Sequence, residues 1–191
     1  MTPHKLPALL VIDLQNWFLE KGSEEKLKAV PILIEKTNEL IQFFHQHNWP
    51  IVRVQTVHKS DKSTWNQWAL AHNVPRLIEG SHEANYAKEV IQKQTDIILT
   101  KTRLSAFLRT NLEATLLQLN CNRVVICGYS TDNCVGQTSM DAYELDFKVF
   151  LAGEAILGTH PKDGKLMLDY LDKHFGILPQ SNSTIIQRLS P

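Results

Sequence analysis

Cys134 is the residue in this sequence whose position most favours nucleophilic chemistry. It lies in the run Gly128–Val135, directly after Arg123–Cys127, which is short, apolar and β-branched and therefore predicts a buried parallel strand. Apolar residues then recur at helical spacing, and we expect Thr131 or Asp132 to cap that helix. Unpaired N–H groups and the dipole at a helix N-terminus favour a thiolate and stabilise an oxyanion. The pattern predicts a cysteine nucleophile.

Asp13 and Lys101 are two further reactive residues that follow apolar, strand-like runs, Ala8–Ile12 and Asp96–Thr100. In open parallel sheets the ligand crevice lies beyond the carboxyl ends of the strands, where the strand order reverses. There a lysine cation would favour the cysteine thiolate, and an aspartate would accept its proton and return it to a leaving amine. Because Lys101 follows an outer strand, we expect its loop to curl inward.

Each of these residues also has a structural explanation when it is taken alone. An aspartate after a strand is commonly a turn or cap residue, and a lone cysteine is usually a small buried side chain. We interpret Cys121 and Cys127 in that second way. Only the coincidence of Asp13, Lys101 and Cys134 at three strand ends points to catalysis.

Strand-like and helix-like segments alternate along the chain, which predicts an α/β fold. We expect three α/β/α layers around a mostly parallel sheet of about six strands in Rossmann-type order, 3-2-1-4-5-6, within one domain over residues 1–191. Pro31 is expected in the first turn of a long amphipathic helix, and Thr184–Ile186 is a candidate sixth strand. The long segment from His58 to about Ile91 is typical of a binding loop or lid.

The composition excludes several classes of partner. Lysine plus arginine number 20, as do aspartate plus glutamate, so no net charge draws the chain to nucleic acid or a membrane surface. No apolar run approaches the roughly 20 residues that span a bilayer, and the first residues lack the long apolar core of a signal peptide. Three cysteines without a paired framework indicate free thiols in a reducing cytoplasm.

Several motifs together resemble those of the isochorismatase-like cysteine hydrolases. The motifs are Leu10–Asn16, Leu77–Ser81, Lys101–Phe107, Gly128–Val135 and Asp141-Ala142. Each motif alone is modest, but all of them in this order are specific, and the resemblance extends over nearly the whole chain.

The resemblance implies a catalytic triad in which Cys134 is the nucleophile, Asp13 the proton shuttle and Lys101 the group that tunes both. Backbone N–H groups of Ser130 and Cys134 would form the oxyanion hole, and the family commonly has a cis peptide at the position matching Tyr129–Ser130. The presence of the cysteine favours hydrolysis of a C–N bond (amide, carbamoyl or ureido) in a small molecule through a thioester, without a cofactor. The resemblance also implies a homo-oligomer.

Other functions within and outside this family stay open. Nicotinamidase-like members bind a metal through an Asp-x-His pair, whereas this chain has Thr56-Val57-His58, so we expect no metal. His58 and His72 would then lie on a solvated loop or contact substrate. Isochorismatases proper cleave a vinyl ether and often lack the cysteine, and a catalytically idle binding relative is opposed by the intact triad. A nucleotide-binding oxidoreductase is opposed by the lack of G-x-G-x-x-G after the first strand.

Aromatic residues are candidates for the substrate pocket, although packing beneath the long loop explains them equally well. The predicted substrate-binding set is Trp17, Phe18, Trp65, Phe107 and Tyr129, with Trp68 and Tyr86 as further candidates.

Two arginines and two departures from the family pattern add to these candidates. Arg103 and Arg109 are candidates for binding a substrate carboxylate, against the commoner role of a surface arginine. Trp17 stands where many relatives have an acidic residue and is expected to change the pocket. Glu154 stands where an aspartate is usual, and its role is open.

Overall fold

A six-stranded, all-parallel sheet forms the centre of the protein, as predicted. A computed structural model describes residues 5–74 and 76–190. The strands are β1 Leu6–Ile12, β2 Ile51–Thr56, β3 Ile97–Lys101, β4 Cys121–Tyr129, β5 Lys148–Leu157 and β6 Pro179–Gln180. Their order is β3-β2-β1-β4-β5-β6, and every paired edge is parallel. The predicted strand order is confirmed, and β1 and β4 are the neighbours at which it reverses.

Helices cover both faces of this sheet, which completes the predicted α/β/α layers. They are α1 Asn16–Leu19, α2 Glu24–Gln46, α3 Gln67–His72, α4 Leu112–Gln118, α5 Gly136–Glu144, α6 Pro161–Phe175 and α7 Asn182–Leu189. Successive β1 side chains point to opposite faces. Leu9 and Val11 pack with α2 and α7 in one core, while Ala8, Leu10 and Ile12 pack with α4, α5 and α6 in the other. None of the helices described in residues 5–74 and 76–190 is long and apolar enough to cross a membrane.

Helix α2 begins earlier than predicted, which corrects the placement of Pro31. Ser23 is the N-cap, and its hydroxyl accepts a hydrogen bond from the Lys26 backbone N–H at 3.3 Å. Pro31 therefore lies inside the helix rather than in its first turn. The buried side chains of Val30, Leu33 and the following turns anchor α2 on the sheet, and this packing offsets the hydrogen bond that a proline cannot donate.

The C-terminal segment also differs from the prediction. Thr184–Ile186 lies in α7, and the sixth strand is the short pair Pro179–Gln180. Ser181 caps α7 by accepting from the Thr184 backbone N–H, and Glu154 accepts from the Asn182 backbone N–H at 2.7 Å. The segment is apolar on one face only, so it buries Ile185 as an amphipathic helix. Glu154 thus has a structural role in satisfying the start of this helix.

Gly128 allows β1 and β4 to approach closely where the strand order reverses. Its φ is +115°, and a Cβ at this position would stand 2.1 Å from the Ile12 carbonyl oxygen. Asp13 follows Ile12 with a φ of 51°, a left-handed conformation that aspartate tolerates better than most residues. The close approach brings the chain after β1 next to the chain after β4, and so Asp13 next to the Cys134 segment.

The long segment after β2 is more ordered than a plain loop. It contains α3 and a 3₁₀ turn at His82–Ala84. His58 and Ile78 form a parallel β-bridge, and Gln15 and Tyr86 form an antiparallel one. The segment therefore folds back over the carboxyl ends of β1, β2 and β3.

Candidate active site

Lys101 brings the three predicted catalytic residues into one buried cluster. Its Nζ lies 2.8 Å from Asp13 Oδ2 and 3.3 Å from Cys134 Sγ. It also donates to Thr56 Oγ1 at 2.7 Å and to the Arg103 carbonyl at 3.1 Å. The side chains of Lys101 and Asp13 are fully buried. A buried cation with this set of acceptors is held in one place, between the carboxylate and the thiol.

Lys101 reaches the centre by its side chain and not by a curling loop, which corrects the sequence-based expectation. It is the last residue of the edge strand β3, paired with Thr56 at the end of β2. Its four-carbon stem crosses the end of β2 to Asp13 at the end of β1. The long side chain of Lys101 therefore spans the distance from the edge strand β3 to the end of β1, passing over the short side chain of Thr56.

Thr56 is a member of the cluster that the sequence did not single out for this role. Its hydroxyl accepts from Lys101 and donates to Asp13 Oδ1 at 3.0 Å. Gln15 fixes the backbone here, because it donates to the Thr56 carbonyl and accepts from the Thr56 N–H at 2.8 Å. The sequence offered one indication of this role. Thr56, whose hydroxyl can both donate and accept, stands where nicotinamidase-like members have a carboxylate.

Cys134 lies in a π-helical turn, Thr131–Val135, which leads into α5. The prediction that Thr131 or Asp132 caps this helix is wrong. Ser130 occupies the cap position without a side-chain cap, and Asp132 Oδ1 accepts from the Thr159 backbone N–H at 2.6 Å instead. The peptide between Tyr129 and Ser130 is cis. The nucleophile candidate thus follows β4 directly, at the start of a helix, as the spacing predicts.

The electrostatic environment raises the pKa of the Cys134 thiol above its ordinary value. Burial is the largest cause, and the negative charge of Asp13 and its hydrogen bond with the thiol act in the same direction. Lys101 lowers the pKa, as expected, but by less than these effects raise it. Cys134 is therefore a thiol at rest.

The other two cysteines lie in the core, as predicted. Cys127 is fully buried in β4, and burial raises its pKa to about 12. Burial likewise raises the pKa of Cys121 to about 11. For Lys101, burial alone would lower the pKa, but the charge of Asp13 and the hydrogen bonds with Asp13 and Cys134 more than offset it, and the pKa is raised. The protonated amine is therefore favoured in the cluster.

A cavity of about 380 Å³ opens onto Cys134. Four of the five predicted substrate-binding residues line it, namely Trp17, Phe18, Trp65 and Tyr129, and Trp68 lines it as well. Phe107 does not, because its ring packs on Phe147 at 5.9 Å in the core between the sheet and α4–α6. Tyr86 also lies outside this cavity, and its hydroxyl donates to the carbonyls of Val11 and Val54.

The polar residues around the cavity separate the remaining candidates. Arg103 lines it, whereas Arg109 does not. Arg76 lines it too, with its guanidinium 4.2 Å from the ring of Trp68, and no sequence pattern marked this residue. His58 is buried in the lining, and burial, followed by the charges of Arg103 and Lys101, lowers its pKa, although a hydrogen bond with the Thr64 carbonyl opposes this.

His72 is exposed and stacks on Trp68 outside the lining. Within residues 5–74 and 76–190, no cluster of three or more His, Cys, Asp or Glu side chains is arranged to hold a metal ion. At the position of the family carboxylate, Thr56 is directed to Asp13 and Lys101. The residues present do not form the metal site of nicotinamidase-like proteins.

Comparison with known proteins identifies the family. The isochorismatase domain model matches residues 7–183. A probable inactive nicotinamidase of Arabidopsis thaliana is 31% identical over 147 residues, covering 73% of this chain and 74% of the relative. The maleamate amidohydrolase of Pseudomonas putida is 25% identical over 174 residues, covering 89% and 81%. The crystal structure of an isochorismatase family protein from Desulfovibrio vulgaris superposes with a TM-score of 0.87 at 20% identity, covering 98% of this chain and all of that one. The chain belongs to the isochorismatase family and is a hydrolase of that family.

Proposed function

We propose that this protein hydrolyses a C–N bond (amide, carbamoyl or ureido) of a small molecule, with Cys134 as the nucleophile. The observation that carries the proposal is that one buried amine, Lys101 Nζ, contacts both Asp13 and Cys134 beside a cavity. A thiol, a carboxylate and a fixed cation are the three groups needed for covalent acyl transfer with proton shuttling.

In the first step the thiol proton passes to Asp13 as the sulfur attacks the carbonyl carbon of the substrate. The raised pKa of Cys134 means that this transfer accompanies attack and does not precede it. The C–S bond forms, and the carbonyl electron pair moves onto oxygen. We propose that backbone N–H groups of Ser130 and Cys134 stabilise this oxyanion.

In the second step the tetrahedral intermediate collapses to a thioester on Cys134. The C–N bond breaks, and Asp13 returns the proton to the leaving nitrogen, which departs as an amine or ammonia. Water then adds to the thioester with Asp13 accepting its proton, and the acid product leaves as the thiol is re-formed. Each proton that Asp13 takes up is given back within one turnover, so the cycle needs no cofactor.

Lys101 and Thr56 hold Asp13 ready for these transfers. Lys101 bonds Asp13 Oδ2, and the Thr56 hydroxyl bonds Oδ1, so both oxygens of the carboxylate have a donor. The lysine charge also compensates for the negative charge that moves between sulfur and carboxylate. We therefore assign Lys101 to charge stabilisation and Thr56 to positioning.

The relatives support this reaction class without naming the substrate. One is a maleamate amidohydrolase, which is named for an amide substrate. A vinyl-ether hydrolase and a metal-dependent amidase remain second to this proposal, because the cysteine is present and the metal carboxylate is absent at Thr56. A catalytically idle binding protein is a rival that one relative, described as a probable inactive nicotinamidase, brings forward.

We make three lesser proposals. The family resemblance supports a homo-oligomer, the unpaired cysteines support a reducing cytoplasm, and the chain length and alternating elements support one domain over residues 1–191. Light scattering on the purified protein tests the first of them, and a single monomeric mass at micromolar concentration would remove it.

A hydrolysis screen over amides, carbamoyl compounds and ureido acids tests the proposed function. We expect turnover by the wild type and a loss of several orders of magnitude in Cys134→Ala, because the nucleophile is lost while the small side chain fits the site. Cys127→Ala is the matched control and should keep the chemistry. Turnover should also survive exhaustive chelation. Activity that vanishes with chelator and returns with zinc, or that persists in folded Cys134→Ala, would overturn the assignment.

A further inference from the structure

The polar lining of the cavity carries charge of one sign. Three basic residues contribute to it, Arg76, Lys101 and Arg103, and no aspartate or glutamate lines it in the part of the chain that the structure describes. Asp13, which is not among the lining residues, compensates for the charge of Lys101. The two arginines have no such partner, because no carboxylate in residues 5–74 and 76–190 forms an ion pair with either of them.

Arg103 is half-buried, and its guanidinium is only partly used. Nη1 donates to the carbonyls of Thr64 at 3.0 Å and Thr102 at 2.7 Å. Nε and Nη2 have no acceptor among the described residues, which leaves one edge of the planar fork free. A fork with two parallel N–H groups matches the two oxygens of a carboxylate. Its backbone carbonyl also bonds Lys101, so this fork is attached directly beside the catalytic cluster.

Arg76 is an exposed residue of the cavity lining whose guanidinium contacts two tryptophans. Its guanidinium carbon is 4.2 Å from the Trp68 ring and 5.8 Å from the Trp17 ring. Cation–π contacts position the guanidinium through its charge. They do not engage its N–H donors with an oxygen or nitrogen acceptor. All donors of Arg76 therefore stay available to a ligand within the described structure.

We propose that the substrate carries a carboxylate in addition to the scissile C–N bond, with Arg103 as its anchor and Arg76 as a second cation in the same cavity. This inference rests on the proposed function only in calling the bound ligand a substrate. The anion-binding site itself does not depend on that function. A cleft lined by one sign of charge concentrates ligands of the opposite sign.

Alkylation of Cys134 by a charged and a neutral reagent of the same shape tests this inference without any hydrolysis. Iodoacetate carries a carboxylate, and iodoacetamide is its uncharged counterpart. The ratio of their rate constants at Cys134, read by peptide mass spectrometry, cancels the fraction of thiolate. We expect this ratio to exceed the ratio for glutathione at the same pH, and to fall in high salt.

Variants then assign the effect to residues. Arg103→Gln and Arg76→Gln should each lower the ratio about tenfold, as expected for the loss of a charge-assisted hydrogen bond. Arg103→Lys, which keeps the charge but not the fork, should lower it less. Arg109→Gln is the matched control, because Arg109 lies outside the cavity lining, and it should leave the ratio unchanged.

Calorimetry with succinate on Cys134→Ala covers the case in which the thiol does not react. Succinate should bind, neutral succinamide should bind more weakly, and Arg103→Gln should abolish the difference. A ratio at or below that of glutathione and unmoved by either arginine variant, or succinate binding no better than succinamide, would overturn the inference. If the wild type hydrolyses nothing in the screen but still prefers the anionic reagent, the proposed function is overturned and the anion site is not.

Discussion

The floor and the wall of the cavity are built in contrasting ways. The floor comprises Asp13, Thr56, Lys101 and Cys134, all buried at strand ends and joined through one amine. The wall is formed by lining residues in the ranges 65–74 and 76–77, among them Trp65, Trp68 and Arg76. Trp68 is 47% exposed, and Arg76 is held by ring contacts. The floor is part of the sheet, whereas most of the wall lies on the surface.

This contrast separates chemistry from selection. A change in the floor removes a hydrogen bond or a charge from a buried cluster, so it costs stability as well as reactivity. A change at an exposed position of the wall leaves the sheet intact and alters chiefly which ligands the cavity accepts. A family with one fold and several substrates is expected to vary in its wall and to keep its floor.

The largest effect on stability is expected from Lys101→Met. Removing the amine leaves the buried Asp13 carboxylate without its ion pair, which should cost about 3–5 kcal/mol of unfolding free energy. Chemical denaturation measures this loss, and turnover should be lost with it.

Adding Asp13→Asn to Lys101→Met is the control that separates charge from packing. The double variant has no uncompensated charge, and Asn still accepts from the Thr56 hydroxyl, so most of the stability should return while turnover does not. A double variant as unstable as Lys101→Met would show that packing, rather than the ion pair, holds the floor.

An intermediate effect is expected on the pH dependence of Cys134 labelling. Because burial and Asp13 raise the thiol pKa, iodoacetamide labelling of the wild type should still increase at a pH where free cysteine, with a pKa of about 8.5, has levelled off. The two charged neighbours act with opposite signs. Asp13→Asn should move the labelling curve to lower pH, and Lys101→Met should move it to higher pH.

Rate constants for the Cys134 peptide across pH 6–11 provide the measurement. Cys121 and Cys127 serve as internal references, and both should label more slowly because they lie in the core outside the cavity. Labelling curves of wild type and both variants that coincide would place the two charges too far from the sulfur to act on it.

The smallest effect on stability is expected from Trp68→Ala. The ring is half-exposed and anchors Arg76 by a cation–π contact, so its loss should cost under about 1 kcal/mol of stability while raising KM with little change in kcat. Trp65→Ala is the matched comparison in the same wall. Trp65 is 6% exposed and its Nε1 donates to the Lys59 carbonyl, so about 3 kcal/mol should be lost. Equal losses in both variants would remove the distinction between the buried and the exposed part of the wall.

Three of the four floor residues were predictable because local sequence places each of them after a strand-like run, whereas the role of Thr56 was not predicted. Apolar runs define β1, β3 and β4, and Asp13, Lys101 and Cys134 follow from where those runs end. Parallel strand order then places the three ends on one edge. The electrostatic balance at Cys134 was not predictable, because it depends on how deeply three groups are buried together.

The wall and the helix boundaries needed the folded structure. Phe107 and Trp68 are both aromatic residues outside the strands, and only packing decides that Phe107 joins the core and Trp68, in α3, lines the cavity. Pro31 lies inside α2 because the Ser23 cap and tertiary packing outweigh a local preference. Thr184–Ile186 has strand-like composition but a helical cap before it at Ser181. These choices are made by long-range contacts that a single sequence does not display.

The proposed function depends on a covalent intermediate at Cys134, and trapping that intermediate is its most direct test. With a substrate found by the screen, acid quenching during steady-state turnover followed by peptide mass spectrometry should reveal the acyl group on the Cys134 peptide. Hydroxylamine should divert part of the product to the hydroxamate, as expected for a thioester. Wild-type turnover with no acyl group on Cys134 and no hydroxamate formed would contradict covalent catalysis at this residue.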